Sequence, residues 1–288
     1  MKKKRLKKTT PLPPFDKGEY EGQPPTPFKG GIRKKEMSSL LFATGYIGKD
    51  CQVERYDIWL DYYLPRLSKL NCDKAVIIDD GSPLEQVVKL GIPIVDANNL
   101  PEQLPGKVCW VRFPDNLGRP FRGLIPGWWR SFSFASFIAL KYNFDRLVHI
   151  ESDTYIFCDK LFNKIAETNT HWWSPYSKHY YWPETTIQVI HKKGIEKLFL
   201  FWNADKMYWY AYQISNFQYV PEYILPIDEV DKGWLGDRFG EDWCKKVPYG
   251  IQFASNMNDI STNRIQHKRQ EEKMSWLKNK ISELDKNL

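Results

Sequence analysis

The chain has 288 residues, 42% of them hydrophobic, which is long enough for one large domain with a sizeable core. Its net charge of +7 sits entirely in residues 1–37, which hold eleven Lys/Arg and four Asp/Glu; the remainder has 31 of each sign and lacks the electrostatic footprint of a nucleic-acid-binding body. The five cysteines are scattered without a CxxC pair, which argues against a zinc knuckle or a disulfide framework, and no apolar run approaches the ~18 residues of a membrane span.

Residues 1–37 are rich in Pro, Gly and Lys and have no apolar periodicity, so they are expected to form a disordered tail without catalytic role. Two other readings stay open. The segment is translated upstream DNA with Met37 as the native start, or it is a polybasic anchor to anionic lipid. No apolar signal-peptide core follows the basic start, and a cytoplasmic protein, peripheral to the inner face of the membrane at most, is expected.

From Ser38 the text becomes regular. SSLLFATGYI (38–47) predicts a first strand. In 51–70, Val53, Tyr56, Trp59, Leu60, Tyr63, Leu64 and Leu67 recur at helical spacing. DKAVIIDDGS (73–82) predicts a buried strand ending in acids and a turn, and PLEQVVKLG (83–91) a short helix from Pro83 to Gly91. IPIVDA and KVCWVRF predict two more strands, residues 127–143 a helix, and DRLVHIESDTYIF (145–157) the next strand. Strands alternating with helices predict an α/β fold, a mostly parallel sheet flanked by helices. Ligands of such sheets bind beyond the carboxyl ends of the strands, where Asp79, Asp80, Glu151 and Asp153 all fall.

Two carboxylates at the end of a buried strand need compensation, by a divalent cation, a basic side chain (Arg146 or Lys160) or solvent. If the strand continues through Glu151-Ser152-Asp153, the two carboxylates share one face. Arg119, Arg122 and Arg130 cluster near Gly118, Gly123 and Gly127, and their forks suit diphosphate oxygens; Arg119 is the leading candidate.

The motifs VIIDDGS (76–82), DNLGR (115–119), HIESDTY (149–155) and FGEDW (239–243) resemble, in order, four segments of family 2-like glycosyltransferases of the GT-A fold. That resemblance covers roughly residues 38–256. It implies a GT-A-like single domain that moves a sugar from a UDP-linked donor to a glycan, lipid or other hydroxyl acceptor, using Mn²⁺ or Mg²⁺ to stabilise the diphosphate leaving group. It gives Asp153 the metal contact and Glu151, where the family has Asp, the ribose or a place beside the metal. It makes Asp79 and Asp80 donor-binding, Asp80 accepting from base or ribose donors, with Thr44 and Gly45 bordering the same base pocket. Asp242 is the implied base of an inverting transfer, with Glu241 beside it and Asp237 as fallback.

Past Phe157 the chain turns aromatic. Trp172, Trp173 and Trp182 stand beside Pro, His and Ser in expected loops and are the acceptor-side candidates, against the plainer reading of core packing. His191 and His267 could complete a metal shell, although none of the five histidines shows metal spacing. Leu277, Ile281, Leu284 and Leu288 mark a C-terminal amphipathic helix. The expected organisation is tail 1–37, catalytic domain 38–260 and helix 261–288. The rival functions are a GT-A-like nucleotide- or carbohydrate-binding protein without turnover, and a sugar nucleotidyltransferase, whose Gly-rich, Arg-containing phosphate loop after strand one is missing from ATGYIGKDC. Deleting residues 1–36 should leave folding and donor turnover intact, because the segment contributes no core residues. A truncated protein that is soluble yet inactive would overturn this.

Overall fold

A computed structural model describes residues 37–48, 53–118, 125–156, 159–177, 182–183, 185–203, 225, 227–236, and 279, 282, 285 and 286. All of them belong to one compact unit. Its strands are β1 Ser39–Gly45, β2 Lys74–Asp79, β3 Ile94–Asp96, β4 Val108–Arg112, β5 Arg146–Ile150, β6 Trp172–Ser177, β7 Trp182–Pro183, β8 Ile187–His191 and β9 Glu229–Gly236. Its helices are α1 Glu54–Tyr63, α2 Leu84–Val87, α3 Pro126–Tyr142, α4 Asp159–Glu167 and α5 Lys192–Asn203. The sheet runs β3-β4-β2-β1-β5-β8-β6-β7, with β9 pairing β6. The first five strands in that order are mutually parallel; β8 runs antiparallel to both β5 and β6.

This is the α/β, mostly parallel sheet flanked by helices that the alternation of strands and helices predicts. Period-two alternation sends successive side chains to opposite faces, and each face has its own core. Leu41, Ala43, Ile77, Trp110, Val148 and Ile150 pack with α1 and α4 residues such as Trp59, Tyr63, Phe162 and Ile165. Leu40, Phe42, Val76, Ile78, Val111 and Leu147 pack with α3 and α5 residues such as Phe132, Ala135, Ile138 and Leu198. Burial on both faces explains why the strands read as continuous apolar runs.

The structure shortens two predicted elements. The helix expected over 51–70 is α only to Tyr63, because Pro65 supplies no N–H for the next turn; two 3-10 turns follow and Asn71 closes them in the left-handed region at φ 53°. The strand expected over 145–157 stops at Ile150, where the Thr154 amide donates to the Glu151 carbonyl at 2.9 Å and closes a turn.

Trp172 and Trp173, expected in loops as acceptor-side residues, lie in β6 with no exposed surface. Their polar tips are satisfied internally: Trp172 Nε1 donates to Gln188 at 2.8 Å and Trp173 Nε1 to Asp231 at 3.2 Å. Core packing accounts for both. Trp182 lies in β7. At the C-terminal end of the chain, Asn279, Ser282 and Asp285 are helical, and Asp285 pairs with the buried Arg66 at 2.6 Å; the leucines and isoleucine of the expected stripe lie outside the described residues.

α3 is joined to β2 by a buried ion pair. Arg130, 1% exposed, donates through Nη2 to Asp80 and through Nη1 to Asp115 at 2.9 Å, and its guanidinium lies 4.1 Å from the Phe113 ring centre. Arg130→Met should therefore strip Asp80 of its charge partner and cost about 3–5 kcal/mol, the usual penalty for leaving one member of a buried pair alone. Urea unfolding checks this. A loss under about 1 kcal/mol would mean that the neighbouring amide donors suffice.

Candidate functional site

The order β2-β1-β5 sets three parallel strand ends side by side, and the sequence puts a polar residue at each. β1 delivers Thr44, β2 delivers Asp79 and Asp80, and the turn after β5 delivers Glu151, Ser152 and Asp153. Thr44 Oγ1 donates to Glu151 Oε2 at 2.9 Å, a direct bond between the ends of β1 and β5.

Asp79 is fully buried and holds the turn after β2. The Ser82 amide donates to its Oδ2 at 2.9 Å, and the Ser82 hydroxyl to its Oδ1. The same hydroxyl accepts from the Ile47 amide at 2.7 Å, so Asp79 also steadies the segment after β1. Arg112, at the end of β4, donates through Nε to the Ser82 carbonyl at 2.6 Å. Burial raises the Asp79 carboxyl to about 6, with the Ser82 hydrogen bonds opposing the rise.

Asp80 is 4% exposed and equally engaged. Its Oδ2 accepts from the Gly118 amide at 2.8 Å and from Asn116 Nδ2 at 2.9 Å, while Oδ1 faces Arg130. Two glycines are required by this closeness. A Cβ on Gly127 would lie 1.9 Å from Asp80 Oδ2, and one on Gly81, at φ +78°, would lie 2.2 Å from the Asp115 carbonyl oxygen. Burial raises the Asp80 carboxyl despite Arg130 and the loop amides. Both aspartates expected to contact a nucleotide base thus anchor the loops around the crevice.

Glu151 is 12% exposed and ringed by donors. Trp128 Nε1 of α3 donates to Oε1, Thr44 to Oε2, and His149 Nε2 lies 3.4 Å from Oε1. His149 itself is fully buried, wedged between Phe42 and Phe132, with Nδ1 3.2 Å from the Thr185 carbonyl. Burial alone would raise Glu151; His149, Trp128 and Thr44 outweigh it and hold the carboxyl at about 2. Asp153, 18% exposed, faces Arg55 of α1, whose Nη2 lies 3.2 Å from Oδ2 and whose Nε donates to Ser152 Oγ at 2.8 Å.

Of the charge partners expected from sequence, Arg146 does not serve this turn. Arg146 points into the core and donates to the Leu70 and Ile165 carbonyls. Arg130, expected beside a diphosphate, is the buried partner of Asp80. Arg55 carries no motif that marks it, and only the fold brings α1 over the turn. His191 pairs in register with Arg146 at the opposite end of β5 and lies 2.7 Å from the Thr168 carbonyl. Arg119, Asp237, Glu241, Asp242 and His267 lie outside the described residues.

A divalent cation held by Glu151 and Asp153 does not fit these surroundings. Both oxygens of Glu151 already accept hydrogen bonds, and a guanidinium stands beside Asp153 where a second cation would be repelled. Among the described residues no group of three or more His, Cys, Asp or Glu gathers that could hold a metal.

No protein-family model matches the chain, and no curated protein sequence does. Solved structures do resemble it, among them three sugar transferases. A glycosyltransferase involved in glycosylating the major capsid of PBCV-1 shares 12% identity over 83% of this chain and 99% of its own, with a TM-score of 0.39. The galactosyltransferase LgtC, solved with donor and acceptor sugar analogues, shares 12% identity over 65% of this chain and 66% of its own, at 0.37. A mannosyltransferase from Pyrobaculum calidifontis, solved with GDP-Man and Mn²⁺, shares 13% identity over 56% of this chain and 46% of its own, at 0.36.

The raised Asp79 carboxyl has a definite sign in stability. Its folded pKa of about 6 exceeds the reference value of 3.8, so the native state binds the proton more tightly, and stability falls as pH rises between those values. The span corresponds to about 3 kcal/mol at most. Urea unfolding of wild type and Asp79→Asn should show wild type losing ground to the variant as pH rises from about 4 to about 6. A pH-independent difference would mean that Asp79 stays ionised in the fold.

Proposed function

We propose that the chain is a glycosyltransferase that takes a sugar from a nucleoside-diphosphate donor. The supporting observation is the convergence of Thr44, Asp79, Asp80, Glu151 and Asp153 at three adjacent carboxyl ends of a parallel sheet, where such folds bind ligands. The four motifs and their order supply the chemistry. A UDP-linked donor and a glycan, lipid or other hydroxyl acceptor are the expected substrates.

In the proposed reaction the acceptor oxygen forms a bond to the sugar C1. The C1–O bond to the diphosphate breaks, and its electron pair leaves with the nucleoside diphosphate. The acceptor proton passes to Asp242, with Glu241 adjacent, in an inverting transfer. Asp79 and Asp80 serve by holding the loops that border the donor, and Glu151, ionised and hydrogen-bonded to Thr44 and Trp128, fixes the crevice floor. A polybasic contact of residues 1–37 with the inner face of a membrane belongs to the same proposal. No helix among the described residues is long and apolar enough to cross a membrane.

The pre-satisfied carboxylates favour one second reading, a binding protein that holds a nucleotide sugar without turnover. Nucleotide-sugars screened for nucleoside diphosphate release separate the two: release with an acceptor supports transfer, and tight binding without release supports the alternative. Asp242→Asn should lower turnover by about 10²-fold or more with little change in donor affinity. Unchanged turnover in this variant and in Glu241→Gln would remove the inverting base.

A further inference from the structure

The carboxylate that the family resemblance assigns to a metal already faces a cation belonging to the chain. Arg55 reaches across from α1 to the turn after β5, with Nη2 3.2 Å from Asp153 Oδ2 and Nε on Ser152 Oγ at 2.8 Å. The helix holds it there. Tyr62 and Tyr63, seven and eight residues on and so on the same face of α1, donate to the Ile156 and Thr154 carbonyls. The side chains of Arg55 and Asp153 are 11% and 18% exposed, so the pair borders solvent at the crevice.

We infer that Arg55 supplies the positive charge that meets the donor's diphosphate, in the place a divalent cation would take beside Asp153. The inference rests on the nucleotide-sugar reading and specifies how that site handles phosphate. A guanidinium is permanently charged, and its planar fork of N–H donors matches phosphate oxygens. Glu151 is not open to act as a second metal ligand, because Trp128 and Thr44 already donate to its two oxygens. Asp153 is then a positioning residue: it keeps Arg55 over the turn and acts on the diphosphate only through it.

Isothermal titration calorimetry with UDP, GDP and uridine, in EDTA and then in Mn²⁺, tests this. Wild type should bind UDP or GDP in EDTA, and Mn²⁺ should change that affinity by less than about threefold. Arg55→Met should weaken the diphosphate by about 10–100-fold, the effect of losing a charge-assisted hydrogen bond, and leave uridine unchanged. Arg55→Lys keeps a point charge without the fork and should lose only part of the affinity. If Arg55→Met does not fold, Arg55→Lys carries the test, and equal UDP affinity in it and in wild type overturns the proposal. Binding that requires Mn²⁺ and survives Arg55→Met also overturns it, leaving Arg55 as a counter-ion that the metal displaces. A wild type that binds neither UDP nor GDP under either condition overturns the nucleotide-sugar reading itself.

Discussion

A carboxylate withdrawn from water must be paired, and the crevice of this protein is built around four such debts. Asp79 is held by Ser82, Asp80 by Arg130 and the 116–118 loop, Glu151 by Thr44, Trp128 and His149, and Asp153 by Arg55. Leaving any of them buried and alone would cost several kcal/mol, a large share of a domain's net stability. The pairing therefore dictates which elements meet. α3 must bring Arg130 to β2 and Trp128 to the turn after β5, and α1 must bring Arg55 to that turn. Loops that would otherwise be mobile become fixed edges of one crevice.

The sheet was legible because burial on both faces leaves a plain mark, runs of Leu, Ile and Val bounded by Gly, Asp and Asn. The end of β2 was legible for the same reason, since Asp79-Asp80-Gly81 interrupts its run; the end of β5 at Ile150 was not, because apolar Tyr155, Ile156 and Phe157 resume after Glu151-Ser152-Asp153. What each carboxylate touches was not legible. Arg130 lies 50 residues from Asp80 and Arg55 lies 98 from Asp153, and no local pattern announces either partner. The misplacement of Trp172 and Trp173 has a related cause. Neighbouring Pro, His and Ser suggest a loop, but Gln188 and Asp231 come from β8 and β9, the strands paired with β6, to satisfy the indole N–H groups, and that allows both rings to enter the core.

The four pairings differ in how readily a ligand could rearrange them. Asp79 and Asp80 are sealed, and exchanging their partners would expose a bare charge to the core, so they belong to the scaffold. Glu151 accepts from Thr44 and Trp128 on two elements and has His149 3.4 Å away, and a ligand competing for it would have to displace both donors together. The Arg55–Asp153 pair stands apart from these in its greater exposure. Asp153 is the most exposed of the four carboxylates, at 18%, and Arg55 beside it is 11% exposed. A diphosphate brought against Arg55 would compete with Asp153 for the guanidinium, and Asp153 borders the solvent it would turn toward. The pairing nearest to solvent is therefore the one best placed to be remade by an anionic ligand.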